Sequence, residues 1–249
     1  MRSVYIHIPF CSSICSYCDF CKFLHNDVWA SEYLKHLEKE INKYYDEDEV
    51  KTIYIGGGTP STLNIPNLNK LMEITKIFKR KDNIEFTFEM NVNDITEEKL
   101  VILKNNGVNR ISIGVESFDK NNLLFLNRKH NKKEIFNNIN LVKKYFNNIN
   151  VDLIYALPIE TLSVLKSDIN NILKLDVNHI STYSLIIENN TVLAVKNIKP
   201  IDEDKDAKMY KYIVKKLKSK GYNHYEVSNF AKPGYESKHN LGYWNNTEY

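Results

Sequence analysis

The segment VYIHIPFCSSICSYCDFC, residues 4–21, joins a β-branched and aromatic run to all four cysteines of the 249-residue chain. Polar and turn-forming residues separate the cysteines, so the pattern is not that of buried apolar side chains. Cys11, Cys15 and Cys18 form C-x3-C-x2-C directly after the first run. Cysteines at such short spacings are typical ligands of a soft metal. The segment therefore predicts a metal centre at the end of a strand.

Two kinds of metal centre fit these cysteines. Three thiolates on one loop can hold three irons of a 4Fe-4S cluster and leave the fourth iron open to a non-protein ligand. Cys21 complicates this interpretation, because it could supply a fourth thiolate. A tetrahedral zinc site is the alternative, but zinc ligands usually come as two separated pairs. The sequence has no second cysteine pair and no HxxxH pair away from this loop.

Composition limits the remaining possibilities. The chain is 43% hydrophobic and 26% charged, and a barrel of this length can form a single domain. The net charge of +3 is spread without a basic stripe, so we expect no nucleic-acid partner. The first residues lack the apolar region of a signal peptide, and no segment approaches a membrane span. These features predict a cytoplasmic protein.

Short β-branched or aromatic runs alternate with helical patterns along the chain. The predicted strands are 4–8, 52–56, 84–90, 110–115, 151–156 and 179–185. Asp27 is the predicted cap of the first helix, and later helices are predicted to start at Pro66, at Asp94 with Glu97 three residues later, and at Asn131 with Glu134; Gly107 is a predicted stop. Alternation of this kind indicates parallel βα units. Six units rather than eight suggest a partial barrel.

Along the predicted strands, polar residues alternate with apolar ones and so lie on the opposite face of each strand. They are Tyr5, His7, Glu89, Glu116 and Asp152. Because side chains alternate along a strand, these residues face the lumen if the apolar set packs against helices. Glu89 and Glu116 also come at the carboxyl ends of their strands, where barrel enzymes build their sites. The alternative is a set of polar residues exposed at the rim.

Several motifs, in order, resemble one family. They are YIHIPFCSSICSYCDF, IYIGGGTPSTL, RISIGVESF, LNRKHN, DLIYALP and YEVSNFAKPGYESKHNLGYW, the last with an HNxxYW pattern. Together they are similar to the radical S-adenosylmethionine (radical SAM) superfamily. The resemblance is to the branch that contains oxygen-independent coproporphyrinogen III oxidase and its haem-chaperone relatives, and it runs nearly end to end.

The resemblance implies a role for each matching residue. Cys11, Cys15 and Cys18 would hold a 4Fe-4S cluster. The residues implied for S-adenosylmethionine are Tyr5, Gly57, Gly58, Thr59, Glu89, Glu116, Arg128 and Asp152. Among them, Arg128 would pair with the methionyl carboxylate and Glu89 would accept bonds from the ribose hydroxyls. The haem-associated residues would be His239, Tyr243 and Trp244. An alternative for these three is structural, with His239 hydrogen-bonded and the aromatic rings anchoring a further domain.

The resemblance also implies an architecture and a function. The fold would be α/β, a partial (β/α)6 TIM-like radical SAM barrel over residues 1–220, with 221–249 beginning a C-terminal haem-associated domain. The implied role is a haem chaperone, with partners that are haem, a haem-accepting protein that could be membrane-associated, and an electron donor such as flavodoxin or ferredoxin. One rival is oxygen-independent coproporphyrinogen III oxidase, whose branch has cysteine where Phe20 stands and lacks HNxxYW. The other rival is a non-catalytic metal-binding module.

The chain departs from the family pattern at a few positions. Glu116 and Glu160 stand where glutamine is typical. Ala156 and Ile159 stand where glycine is typical, and Val92 replaces a usual proline. None of these positions is a predicted cluster ligand, so the departures concern the S-adenosylmethionine pocket and not the metal centre.

Overall fold

A computed structural model describes residues 2–247 of the chain. The strands are β1 (Arg2–Ile8), β2 (Phe10–Cys11), β3 (Phe23–Leu24), β4 (Val50–Gly57), β5 (Arg80–Asn91), β6 (Arg110–Glu116), β7 (Asn148–Tyr155), β8 (His179–Ser184), β9 (Asn223–His224) and β10 (Asn229–Ala231). The helices are α1 (Asp27–Tyr44), α2 (Ile65–Ile74), α3 (Glu97–Asn105), α4 (Lys120–Phe125), α5 (Lys132–Val142), α6 (Leu162–Leu175), α7 (Val192–Val195), α8 (Glu203–Lys218) and α9 (Lys238–Trp244). The six predicted strands are all present, as β1 and β4–β8.

The first of two compact units comprises residues 2–13, 20–111 and 237–247. Strand β1 pairs in parallel with β4, and β4 pairs in parallel with β5; β5 is followed in the sheet by the start of β6. The register sets Tyr5 opposite Tyr54 and His7 opposite Gly56. The alternate residues Ile53, Ile55, Phe86 and Phe88 are fully buried. The apolar phase predicted for these strands is therefore the core of this unit.

The second unit comprises residues 14–19 and 112–236. The rest of β6 is followed by β7 and then by β8, which pairs with β7 in parallel. Strands β10 and β9 extend this sheet with antiparallel pairing. A cluster of Leu126, Ile154, Leu157, Leu185 and Leu193 packs beside it. Strands β2, β3, β9 and β10 were not predicted, because runs of two or three residues carry no measurable periodicity.

The polar caps explain where the helices begin. Helix α1 begins after Asn26, whose side chain accepts the backbone N–H groups of Val28 and Trp29, so the predicted cap at Asp27 is wrong by one residue. Helix α3 is capped by Thr96, which accepts from Lys99, and not by Asp94, which lies in a preceding 3₁₀ turn.

Two other predicted helix starts are confirmed. Asn131 and Glu134 form the complete capping box at the start of α5. Helix α2 has Asn64 as its cap and Pro66 in its first turn, where a missing N–H costs nothing.

Two strands end in a left-handed residue that is not glycine. Glu116, the last residue of β6, has φ of 65°, and Ala156, the residue after β7, has φ of 62°. This conformation costs an L-residue about 1–2 kcal/mol. It also explains why glycine is typical of the family at position 156. The turns redirect the chain immediately after two strands that carry predicted site residues.

The two compact units divide the chain at positions other than 220/221, and the predicted domain boundary stays a prediction. Strands β9 and β10 lie beyond residue 220 but continue the pairing of β8. Helix α9 belongs to the first unit, where it contacts β4. Within residues 2–247, no helix has the length and apolar character needed to cross a membrane.

Candidate functional site

Cys11 lies at the end of β2 in close contact with the glycine-rich turn after β4. Its side chain is buried, and the Thr59 hydroxyl donates to the sulfur at 3.5 Å. A Cβ atom placed on Gly58 would come within 2.9 Å of the Cys11 sulfur. The absence of a side chain at Gly58 therefore allows the turn to approach the predicted cluster ligand. Glycine at this position keeps room around one thiol.

Cys15 and Cys18 lie on residues 14–19, which belong to the second unit. Ser16 anchors this segment: its N–H donates to Leu126 O, its hydroxyl donates to Phe125 O, and its carbonyl accepts from Leu193 N. The Asn127 side chain donates to the carbonyl of Ile14 at 2.7 Å. These bonds hold the two cysteines on a defined backbone.

Neither the three predicted ligands nor Cys21 forms a disulfide, and the four side chains differ in burial. Burial raises the pKa of Cys15, and the nearby positive charge of Arg128 opposes that rise and favours the thiolate. Cys21 is exposed, and its backbone carbonyl accepts a hydrogen bond from His7 Nε2 at 2.9 Å.

Residues 2–247 contain no group of three or more His, Cys, Asp or Glu side chains placed to hold a single metal ion. A 4Fe-4S cluster does not require one, because each of its cysteines binds a different iron. Cysteines without disulfides, and the close approach to Cys11 that glycine at position 58 allows, fit such a cluster.

Glu89 is held at the end of β5 by two donors. The Tyr54 hydroxyl donates to Oε1 at 2.7 Å, and the Gly57 N–H donates to Oε2 at 3.2 Å. A Cβ atom on Gly56 would lie 2.9 Å from the Glu89 carboxylate carbon. Tyr5 packs against Tyr54 with ring centroids 6.0 Å apart. Three of the predicted pocket residues, Tyr5, Gly57 and Glu89, are thus brought together.

Arg128 and Glu116 form an ion pair in the second unit. The Arg128 guanidinium contacts Glu116 Oε1 and also donates to the carbonyl of Gly114 at 3.3 Å. The hydroxyl of Tyr17, which lies between Cys15 and Cys18 in sequence, donates to the same Glu116 oxygen at 3.2 Å. Burial lowers the pKa of Arg128, but Tyr17, Glu116 and Cys15 outweigh it, so the net shift is upward. Arg128 is therefore a permanent cation with a carboxylate partner.

Asp152 lies on β7 among hydrogen-bonding side chains. Ser112 donates to Oδ2 at 3.4 Å, and Asn150 donates to Oδ1 at 2.7 Å. Asn150 also bonds His179 Nδ1 through its carbonyl oxygen at 2.6 Å. Asp152 is thus part of a polar row across β6, β7 and β8.

His239 is buried within the first unit, with 2% of its surface exposed. Its Nδ1 is hydrogen-bonded to the Thr52 hydroxyl at 2.7 Å and its Nε2 to the Tyr243 hydroxyl at 3.0 Å. Burial and, to a smaller extent, the charge of Arg110 together lower the pKa of His239 to about 4, so the ring is neutral near pH 7. Both ring nitrogens are thus hydrogen-bonded within the described residues, and haem ligation by His239 stays a prediction. This arrangement matches the structural alternative, while Trp244 remains 59% exposed.

Three residues of these sites were missed from the sequence. Tyr54 and Tyr17 hold Glu89 and Glu116, and the buried carboxylate of Glu85 accepts the backbone N–H groups of Lys238 and His239. Tyr54 had a usable signal, because it falls in the polar phase of β4. No local sequence pattern pointed to Glu85, since its partners lie more than 150 residues away in the sequence.

Comparison with known proteins assigns a class to this fold and site. Residues 5–172 match the radical SAM superfamily, and the match contains the three cysteines and every predicted S-adenosylmethionine residue. It covers more than half of the chain. The chain therefore belongs to the radical SAM superfamily and, because it is 44% identical over its whole length to 67% of a protein named heme chaperone HemW, to the HemW family.

Two curated relatives align with the whole length of this chain. It is 44% identical to the heme chaperone HemW of Lactococcus lactis subsp. lactis (strain IL1403) and 43% identical to that of Bacillus subtilis (strain 168). All of this chain is aligned, and it spans 67% and 68% of those proteins. The solved structure of Escherichia coli coproporphyrinogen III oxidase (HemN), described as a radical SAM enzyme, matches with a TM-score of 0.86 at 26% identity. That match covers 98% of this chain and 58% of HemN, and it confirms the α/β radical SAM barrel class.

Proposed function

We propose that this chain is the radical SAM part of a haem chaperone, a protein that binds haem and transfers it to an acceptor. The observation that carries the proposal is the 44% identity, across all of this chain, to a protein named heme chaperone HemW. The chain spans about two thirds of that relative, so the activity of the whole protein is part of the proposal and not a finding.

A 4Fe-4S cluster and S-adenosylmethionine are the cofactors we propose for the barrel. When bound, the cluster supplies an electron for reductive cleavage of the sulfonium, the reaction typical of the superfamily. The C-x3-C-x2-C spacing supports Cys11, Cys15 and Cys18 as the cluster ligands. The absence of disulfides among these three cysteines and the room left by Gly58 beside Cys11 support the same assignment.

The chain's own residues would bind and orient S-adenosylmethionine. Glu89, fixed by Tyr54 and Gly57, has the geometry to accept hydrogen bonds from vicinal hydroxyls of a ribose. Arg128 supplies a planar cation suited to a carboxylate. Gly57, Gly58 and Thr59 form the turn that would line the methionyl end, and Tyr5, Glu116 and Asp152 would complete the pocket.

The rival function is oxygen-independent oxidation of coproporphyrinogen III, favoured by the structural similarity to HemN. Two features of the sequence oppose it. Phe20 stands where the enzyme branch has a further cysteine, and the chain carries the HNxxYW pattern in residues 239–244. The sequence identity to HemN is also lower than the identity to the HemW relatives.

Haem and a haem-accepting protein are the partners that the chaperone role requires. An electron donor such as flavodoxin or ferredoxin is the further partner we propose, because a cluster must be reduced before it can donate. A cytoplasmic location is consistent with these partners. The acceptor is left open here, since nothing on the surface of the described residues selects one.

The test is a direct comparison of the two activities. The chain is reconstituted anaerobically with iron and sulfide, then incubated either with haem or with coproporphyrinogen III plus S-adenosylmethionine and a reductant. We expect retained haem, seen as a Soret band after gel filtration and passed on to apomyoglobin as a probe acceptor. We expect no decarboxylated porphyrinogen by chromatography. Conversion of coproporphyrinogen III without haem retention would assign the enzyme function instead.

A further inference from the structure

The buried ring of His239 connects the C-terminal helix α9 to the sheet of the first unit. Thr52 on β4 bonds Nδ1 at 2.7 Å, and Tyr243, one turn along α9, bonds Nε2 at 3.0 Å. The backbone N–H of His239 donates to the buried carboxylate of Glu85 on β5 at 3.0 Å. Both ring nitrogens and the backbone N–H of His239 thus have a short hydrogen bond, and these three bonds define the position of the residue.

The same ring packs against Tyr54. The two ring centroids are 5.1 Å apart with planes inclined by 32°, a tilted stacking arrangement. The hydroxyl of Tyr54 in turn donates to Glu89 Oε1 at 2.7 Å. One unbroken set of contacts therefore runs from His239 through Tyr54 to Glu89. The length of the tyrosine ring separates the histidine from the carboxylate, so His239 acts on it only indirectly.

We propose that His239 is a positioning residue of the nucleoside pocket: it holds the Tyr54 ring so that the tyrosine hydroxyl fixes Glu89 for the ribose. The inference rests on the S-adenosylmethionine site of the proposed function. It gives the histidine of HNxxYW a role at the barrel site in place of a bond to haem iron. It also makes α9 a structural part of the pocket, although this helix lies about 150 residues beyond Glu89 in the sequence.

Haem ligation by this ring would require several contacts to break together. Nε2 would have to leave Tyr243, and the ring would have to leave Tyr54 and a site that is only 2% exposed. Each hydrogen bond left unmade in a buried site is costly. The neighbour Tyr243 is 43% exposed and Trp244 is 59% exposed, so the aromatic part of the motif stays on the surface while its histidine is inside.

The test measures ligand affinity by calorimetry on the cluster-reconstituted chain. Two probes are used: S-adenosylmethionine, and 5′-methylthioadenosine, which keeps the ribose but lacks the amino-acid group. We expect His239→Ala to weaken both probes about tenfold, the loss of roughly one charge-assisted hydrogen bond. Thr52→Val keeps the side-chain volume, removes the bond to Nδ1, and should weaken both probes in the same direction. A melting curve for each variant establishes that it is folded.

A double-mutant cycle tests whether His239 acts on Glu89 through Tyr54. Tyr54→Phe removes the hydroxyl that bonds Glu89, so His239→Ala should have no further effect on affinity in that background. Equal losses in both backgrounds would overturn the inference. Ser237→Ala is the matched control, since it weakens the start of α9 without touching the ring of His239. A loss with Ser237→Ala as large as that with His239→Ala would show that helix docking alone matters and would also overturn it.

Two further readouts separate this inference from the proposed function. If Glu89→Ala leaves the affinity for both probes unchanged, the pocket assignment itself fails. If Glu89→Ala weakens binding and His239→Ala does not, only the role of His239 fails. In haem-loaded protein, His239→Ala should leave the position of the Soret band unchanged. A shifted or lost Soret band would restore His239 as a haem ligand.

Discussion

Arg128 and Glu116 form an ion pair in which each side chain is about nine-tenths buried. Arg128 is the residue proposed for the methionyl carboxylate, so the site already contains a carboxylate in contact with its cation. Glu116 is also the position at which the family typically has glutamine. A ligand carboxylate would therefore share Arg128 with Glu116, and the charge at position 116 sets how strongly the arginine attracts the ligand.

Glu116→Gln should tighten the binding of S-adenosylmethionine and lower the stability of the ligand-free protein. The amide keeps an oxygen acceptor for Arg128 but removes the opposite charge, so the buried cation gains more from an incoming carboxylate. We expect the affinity to rise about tenfold and the free energy of unfolding to fall by about 2 kcal/mol. Calorimetry and denaturant titration measure the two effects. Weaker binding in the variant would show that the charge of Glu116 favours the ligand and does not compete with it for Arg128.

Arg128→Ala should discriminate between two nucleoside ligands. The affinity for S-adenosylmethionine should fall by one to two decades, because a charge-assisted pair is lost. The affinity for 5′-methylthioadenosine should stay unchanged, since it has no carboxylate. Both are measured by calorimetry on reconstituted protein. An equal loss for the two ligands would mean that Arg128 supports the pocket without binding the methionyl group.

Alanine substitution of Cys11, Cys15 or Cys18 should each abolish most iron binding after anaerobic reconstitution. Cys21→Ala is the matched control, because its thiol is exposed and the contact to His7 uses its backbone carbonyl. Iron and sulfide analysis with the absorbance of the cluster measures the outcome. If Cys21→Ala removed as much iron as Cys15→Ala, the three-ligand assignment would be wrong.

Gly58→Ala should impair cluster assembly without removing a ligand. The new methyl group would lie 2.9 Å from the Cys11 sulfur, too close for both atoms to keep their places. We expect a lower iron content per chain and faster loss of the cluster to a chelator. Gly242→Ala is the control: its nearest new contact is 3.6 Å away, and alanine favours the helix in which it lies. Normal iron content in Gly58→Ala would show that Cys11 moves freely.

The free energy of unfolding should fall as the pH rises above the ordinary range for a carboxyl group. Burial and, to a smaller extent, the charge of Asp168 together raise the pKa of Glu160 to about 8. Because the native state holds this proton more tightly than the unfolded chain, the contribution is complete below about pH 4.5 and disappears through about pH 8.

Denaturant titration of the metal-free chain between pH 5 and pH 9 measures this dependence. Glu160→Gln, which restores the residue typical of the family, should flatten the decline of stability over that interval. Ser117 donates to Asp168 and limits the rise of its pKa to about 6, so a smaller pH dependence should persist in the variant. A wild-type stability that rose from pH 5 to pH 8 would contradict the assignment.

The strands and the cluster motif were predictable because their signals are local. Alternation in runs such as 84–90 located β5, and the spacing of Cys11, Cys15 and Cys18 needs no tertiary information. The pocket residues Glu89 and Arg128 came from motif resemblance, and the structure shows what holds them. Helix starts were less certain, since Asn26 and Asp27 are both good capping residues and only the backbone geometry selects between them.

The environment of His239 was not predictable in the same way. Its partners Thr52 and Glu85 lie more than 150 residues away, and no periodicity links them. The HNxxYW pattern indicated a functional histidine without indicating the direction of its ring. Burial decides that question, because a neutral imidazole with two short bonds is satisfied inside the protein.

The segment 14–19 is tied by hydrogen bonds from Ser16 and Asn127 that do not depend on iron. A loop held in this way loses little backbone order when its metal is stripped by oxygen or a chelator. The conformational entropy of this part of the loop is therefore lost during folding and not during metal uptake. If Cys15 and Cys18 bind iron as proposed, iron and sulfide would return to a backbone that is already ordered.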